Sequence, residues 1–195
     1  MKRMSECEIL KEKNNYPKEC FAESHNSNHC LCDDTKLLII GTITPKDFDY
    51  FYCSPRNKIF GYIDEITGSN LKELKQQLNT ATSRVQKDEI IDKIKDRLKA
   101  NKTAFIDVMK YVIRDKNKIQ SHDDTAIEYY SVDNKTLDKI KNIGIVICNN
   151  RLSQNIIAEK FNVNKDFITY IPQRGKGAFK SKWLFEIKKK LGKPL

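Results

Sequence analysis

Four short apolar runs that do not alternate with polar residues constrain this chain more than any other feature. They are Lys36–Gly41 (KLLIIG), Thr103–Tyr111 (TAFIDVMKY), Ile143–Cys148 (IGIVIC) and Asp166–Ile171 (DFITYI). A strand with one face in water alternates, whereas a strand covered on both faces reads as a continuous run, as in a parallel sheet between helix layers. The segments between the runs have helical period: Lys58–Ile66, Leu71–Leu78, Arg84–Asn101, Leu137–Asn142, Ser153–Phe161 and Phe179–Leu191. In Arg84–Asn101 the residues Val85, Ile90, Ile91, Ile94 and Leu98 make one apolar stripe. The expected fold is α/β, a three-layer αβα sandwich around a central four-stranded parallel sheet.

Residues 1–34 are polar and turn-rich and read as a leader with one short helix, Ser5–Lys13. Residues 35–195 then form a single domain with a helical insertion at about 70–102. Asp123 and Asp124 are placed to cap a further short helix, Thr125–Tyr130.

The charge excludes little but orders the alternatives. There are 36 Lys and Arg against 26 Asp and Glu, a net charge of +10, with a pI near 9.2 and a mean hydropathy of −0.63. From Arg174 to Leu195 eight basic residues face only Glu186, whereas Thr35–Ser69 balances four against four. A basic tail beside a neutral segment suits a polyanionic partner, most simply nucleic acid. No apolar run approaches the roughly 18 residues of a membrane span, and the opening MKRMSECEILKEK is too polar for a signal peptide. A cytoplasmic, nucleoid-associated protein with reduced thiols is expected. Cys20, His25, His29, Cys30 and Cys32 are dense enough to raise zinc, but their spacing matches no common structural pattern. Neither a metal nor another cofactor is expected.

In doubly covered parallel sheets, ligands meet the loops at the C-terminal strand ends. Those loops are Thr42–Asn57, Asp107–Thr125, Asn149–Ser153 and Pro172–Phe179. The first carries Tyr50, Phe51 and Tyr52 in succession, then Ser54-Pro55-Arg56-Asn57, then Phe60. Loop aromatics either return to the core or cover something flat, and a flat apolar surface with a placed amide suits a nucleobase. Asn57 equally suits the cap of the helix that follows.

On these residues the chain resembles the uracil-DNA glycosylase superfamily, with LLIIGTITP, YFY and SPRNKIF similar to the family's strand, Gly-x-x-Pro turn, aromatic pair and Pro-x-Asn block. The likeness is greatest to the mismatch-specific and hypoxanthine-type branches. Glu23-Ser24-His25, the segment AFIDVMKYVIRDKNKIQSHDDTAI, the segment IGIVICNNRLSQNIIAEKF and YIPQRGKGAFKSKWLFEIKKKL continue it in order over about residues 23–195. Two departures stand out. Gly41-Thr42-Ile43-Thr44-Pro45 lacks the usual Asp or Asn, and Pro172-Gln173-Arg174-Gly175 replaces the family's His-Pro-Ser signature.

The resemblance implies a metal-free DNA glycosylase that flips a damaged or modified base and hydrolyses its N-glycosidic bond. It implies Asn57 as the residue orienting water, with Asp107 holding a base edge or assisting that water. Thr42, Ile43 and Thr44 would face the base, and Tyr52 or Phe51 would stack on it beside Phe60. Gln173, Arg174 and Lys176 would enter the minor groove, and Lys180 and Lys182 would contact phosphates. DNA is the expected partner, of a monomer. The leader and insertion depart from the superfamily's compact repair enzymes, and the small, lengthened first turn fits the larger pocket of a branch that excises hypermodified cytosines from phage DNA. Two other classes stay open: a catalytically silent nucleic-acid-binding module, favoured by the missing first-turn carboxylate, and a hydrolase of free nucleosides or nucleotides.

Overall fold

The computed structural model describes residues 1–12, 19–23, 29–43, 49–115, 127–140, 146–172 and 178–194. The expected sheet is present. Strands β3 (Leu37–Gly41), β4 (Thr103–Asp107), β7 (Val146–Cys148) and β8 (Thr169–Tyr170) form a parallel sheet in the order β4-β3-β7-β8. Every residue of β3 and β4 is buried, which is why these strands carry no alternation. Each of Leu37, Leu38, Ile39 and Ile40 contributes about 1.5–3 kcal/mol by leaving water. The sheet is the middle layer of a three-layer αβα sandwich. Helix α4 (Arg84–Ala100) meets β4, α6 (Arg151–Phe161) meets β7 and β8, and α7 (Ala178–Leu191) meets β3 and α2 (Ile59–Thr67).

The register decides where a site can be. Gly41 lies opposite Asp107, Ile40 opposite Cys148, and Cys148 opposite Tyr170. The C-terminal ends of all four strands therefore share one edge, onto which the loops after β3, β4 and β7 open.

Beyond the expected sheet there is a second one, in the order β1-β6-β5-β2. Its strands are β1 (Lys2–Arg3), β2 (Glu19–Glu23), β5 (Met109–Asp115) and β6 (Ile127–Val132). Thr103–Tyr111 is thus two strands rather than one. The chain breaks at Val108, whose N–H bonds to Gly41 O at 3.1 Å while its carbonyl accepts from Asp133 N at 2.9 Å. Ile127–Tyr130 of the expected helix Thr125–Tyr130 is corrected to β6: Ile127, Tyr129, Tyr130 and Val132 are β-branched or aromatic residues that suit a pleated surface beside β5. Asp123 and Asp124 lie outside the described residues.

The helix expected at Ser5–Lys13 is α1 (Glu6–Glu12), opened by Ser5 and Glu8 bonding reciprocally. Helix α3 (Leu71–Thr80) and α4 form the expected helical segment, α4 starting at a Ser83–Gln86 capping box. Ile90, Ile91, Ile94 and Leu98 are buried as the stripe requires, but Val85 is 68% exposed in the first turn. Helix α5 (Asn134–Lys139) begins earlier than expected because Asp133 caps it, accepting from Thr136 N. The fourth apolar run opens as a 3-10 turn, Lys165–Phe167, before the short β8. Among the described residues no helix is long and apolar enough to cross a membrane.

Candidate functional site at the strand ends

The best-defined polar cluster sits where β3 and β4 end together. A Cβ placed on Gly41 would lie 2.5 Å from Asp107 Oδ1 and 2.7 Å from Tyr52 Oη. Glycine is required here by close approach, because a carboxylate and a phenol converge on the space a side chain would fill. Asp107 is 3% exposed. The Asn149 side-chain NH2 donates to Tyr52 Oη at 2.8 Å, and Asn149 N–H donates to Ile40 O at 3.0 Å. Residues from the ends of β3, β4 and β7 are thereby joined by one tyrosine from the first loop.

Tyr52 reaches this position at a conformational cost. Its φ is 58°, in the left-handed region that side chains with a Cβ avoid. Its ring lies 4.8 Å from the Phe105 ring of β4, and Phe60 packs on the same Phe105 at 5.5 Å. The strained turn thus directs Tyr52 to the sheet end, while Phe105 fixes its ring.

The residues singled out from the sequence do not all meet in one place. Tyr52 and Asp107 meet at Gly41, beside Thr42, which is buried and whose carbonyl accepts from Met109 N at 2.9 Å. Ile43, Phe51 and Phe60 are core residues: Phe51 packs edge-on against Tyr50 at 5.4 Å, and both rings are fully buried. Asn57, 9% exposed, accepts the Ile59 N–H through Oδ1 at 2.8 Å at the start of α2. Thr44, Gln173, Arg174 and Lys176 lie outside the described residues.

On α7, Lys180 pairs with Glu65 of α2 at 2.8 Å, and Lys182 donates to Tyr170 O at 3.3 Å. Trp183 is fully buried and donates its indole N–H to Pro172 O at 3.2 Å, which ties α7 to the chain leaving β8. The Arg151 guanidinium lies 4.2 Å over the Tyr170 ring at the same sheet edge.

Sequence reasoning did not single out Gly41, Asn149 or Arg151. The signals were a glycine ending an apolar strand and the Asn149-Asn150-Arg151 turn after the third run.

Among the described cysteines Cys30, Cys53 and Cys148 are buried. Burial pushes Cys148 up to about 12 and raises Cys53 further in the same direction. Cys30 Sγ lies 3.6 Å from Tyr50 Oη, and Cys32 bonds to Asp34. Among the described residues no three His, Cys, Asp or Glu side chains are grouped to hold a metal; His25 and the Cys20 side chain are not among them. A groove of about 500 Å³ opens elsewhere, where Arg3, Lys110 and Lys135 alternate with Glu6, Glu8 and Asp133. Lys110 is bonded to Glu6 at 2.8 Å there, so the groove does not present a field of one sign.

The solution NMR structure of a putative uracil DNA glycosylase from Methanosarcina acetivorans superimposes with a TM-score of 0.57. The match is at 17% identity, over 84% of this chain and 95% of that one. The two proteins share a fold. Comparison with protein-family models and with curated proteins finds no match. In this shared fold the Gly41–Asp107–Tyr52–Asn149 cluster occupies the C-terminal edge of the parallel sheet, where doubly covered parallel sheets bind ligands.

Proposed function

We propose that this protein is a monofunctional DNA glycosylase. The observation that carries the reading is the convergence of Asp107 Oδ1 and Tyr52 Oη on Gly41, at the ligand-binding edge of a fold shared with a putative uracil DNA glycosylase. Breaking an N-glycosidic bond sends its electron pair to the departing base and leaves oxocarbenium character on the sugar. Water then forms the new bond at C1′ and gives up a proton. Asp107 is the carboxylate of the cluster and takes the role of orienting that water or accepting the proton.

Asn57 cannot ionise. Its Oδ1 is engaged with Ile59 N–H, so the group it would offer substrate is its NH2. Tyr52 would stack on or border the flipped base, with backbone or hydroxyl groups of Thr42, Ile43 and Thr44 facing it. Gln173, Arg174 and Lys176 would hold the gap left in the duplex, with Lys180 and Lys182 near phosphates.

The substrate reading is finer still. The absence of an Asp or Asn in the first turn is similar to the hypoxanthine-type branch, and a modified base, as in phage DNA, fits a turn with small side chains. The protein would act in the cytoplasm as a monomer on the nucleoid.

A silent DNA-binding module is the second reading. It is favoured by Asn57 bonding to the start of α2 and by full burial of Phe51 and Phe60. The two part in one experiment. The protein is incubated with single- and double-stranded DNA carrying uracil, hypoxanthine, xanthine or glucosylated hydroxymethylcytosine, and abasic sites are revealed with alkali. A glycosylase releases one of these bases and loses that activity in Asp107→Asn. Salt-sensitive DNA binding with no release from any substrate establishes the binding module instead.

A further inference from the structure

The α3–α4 helix pair touches the site loop through four side chains. Lys75 of α3 is only 6% exposed, and its ammonium donates to Asn57 O at 2.7 Å, Ser54 O at 3.3 Å and Pro55 O at 3.5 Å. One turn further on, the Asn79 NH2 donates to Cys53 O at 2.8 Å. From α4, Lys87 pairs with Asp49 at 2.8 Å, and Arg84 approaches the same carboxylate at 3.5 Å. The pair is itself locked to α2. Asp64 of α2 accepts from Leu71 N at 2.8 Å and Lys72 N at 2.7 Å, and so caps α3.

A buried ammonium is costly unless its donors are met. Here they are met by backbone carbonyls of the loop rather than by a carboxylate. Desolvation lowers the Lys75 pKa from its ordinary value, which accords with a cation held by carbonyls alone. A lysine serving only to cover its helix would extend its stem and keep its charge in water. This one is turned inward onto three carbonyls, across the residues that lie between Tyr52 and α2.

We propose that the α3–α4 pair is a clamp that sets the geometry of the loop from Asp49 to Asn57, with Lys75 as its positioning residue. The loop takes its shape from this external grip as well as from its own turns. Lys75 touches neither substrate nor the Gly41 cluster, and acts through the Asn57 backbone. That this geometry serves base release rests on the reading proposed above; that Lys75 holds the loop does not.

The test compares Lys75→Met, which keeps the stem and removes the charge, with Lys75→Arg, which keeps the charge. Amide hydrogen exchange of peptides spanning 49–60 is read beside the parallel-sheet peptides, together with kcat and KM for base release. Lys75→Met is expected to speed exchange in 49–60 by about ten- to a hundred-fold, the scale of a charge-assisted bond. Exchange in β3 and β4 stays unchanged, kcat falls with KM held, and Lys75→Arg recovers part of both.

Unchanged exchange in 49–60 overturns the clamp, and so does an increase spread over the whole chain. Faster loop exchange with unaltered kcat overturns the positioning role. If Lys75→Met does not fold, Asn79→Leu removes the Cys53 contact and is expected to give the same local signature more weakly. If the wild-type protein releases no base, the glycosylase reading fails while the exchange data still decide the clamp.

Discussion

The two ends of the site loop are held in opposite ways. At Tyr52 the side chain makes the long-range contacts: its hydroxyl takes the Asn149 amide and meets the space beside Asp107, and its ring rests on Phe105. At Asn57 the side chain acts locally, accepting from Ile59 N–H, and the backbone carbonyl is what Lys75 grips. Function that depends on the Tyr52 end should therefore respond to side-chain chemistry. Function that depends on the Asn57 end should respond both to side-chain chemistry and to whatever moves the backbone.

The largest effect is expected from Asp107→Asn, which preserves shape and removes the ionisable group. Single-turnover base release should fall by about 10²–10⁴-fold, the range for loss of a general base, with thermal stability and DNA affinity little changed. A fall in DNA affinity of the same size would shift Asp107 from chemistry to binding.

Gly41→Ala comes next. The new methyl would meet Asp107 Oδ1 at 2.5 Å and Tyr52 Oη at 2.7 Å. Overpacking of this kind costs about 1–3 kcal/mol, read as a lower midpoint in urea. Because the two oxygens separate to admit the methyl, base release should be lost well beyond what the stability change explains. Alanine tolerated with full activity would mean that the convergence at Gly41 is packing alone.

Asn57 divides the two ends most sharply. Asn57→Ala removes the acceptor for Ile59 N–H and should destabilise by about 0.5–2 kcal/mol, as for other lost caps. Asn57→Asp restores an acceptor oxygen without the NH2. If Asn57 serves only the start of α2, Asp recovers stability and base release together. If its NH2 acts on substrate, Asp recovers stability alone, and urea unfolding beside base release distinguishes the two.

How far all this could be read in the sequence depended on whether a signal was local. β3 was legible because both of its faces are buried, so KLLIIG could be little else. The parallel sheet then placed Asp107 and the first loop at one edge before any contact was known. The second sheet was hidden because its strands are defined by partners. Lys2–Arg3 and Glu19–Glu23 have no long apolar run, and they pair with β6 and β5 from the second half of the chain. Ile127–Tyr130 is a strand although two aspartates before it suit a helix cap, because its β-branched and aromatic content fits the sheet it joins. Phe51 and Phe60 were legible as aromatic but not as core, since a loop aromatic can turn either way. Lys75 gave no sign at all: in LKELKQQL it is one lysine on a charged helix, and only folding turns it onto three carbonyls.

The smallest predicted effect tests whether the Tyr52 end works as one unit. Tyr52→Phe keeps the ring on Phe105 and deletes the hydroxyl, and Asn149→Ala deletes its donor. Each should cost about 1 kcal/mol, the net worth of an ordinary side-chain hydrogen bond with its unmet partner. The two contacts are one bond seen from both sides, so the double variant should be less destabilised than the sum, with a coupling of about 0.5–1.5 kcal/mol in urea unfolding. Additive effects would mean that Asn149 and Tyr52 are held independently, by Ile40 and by Phe105. The polar cluster would then be two adjacent contacts, and the strained φ of Tyr52 would owe nothing to the amide that meets its hydroxyl.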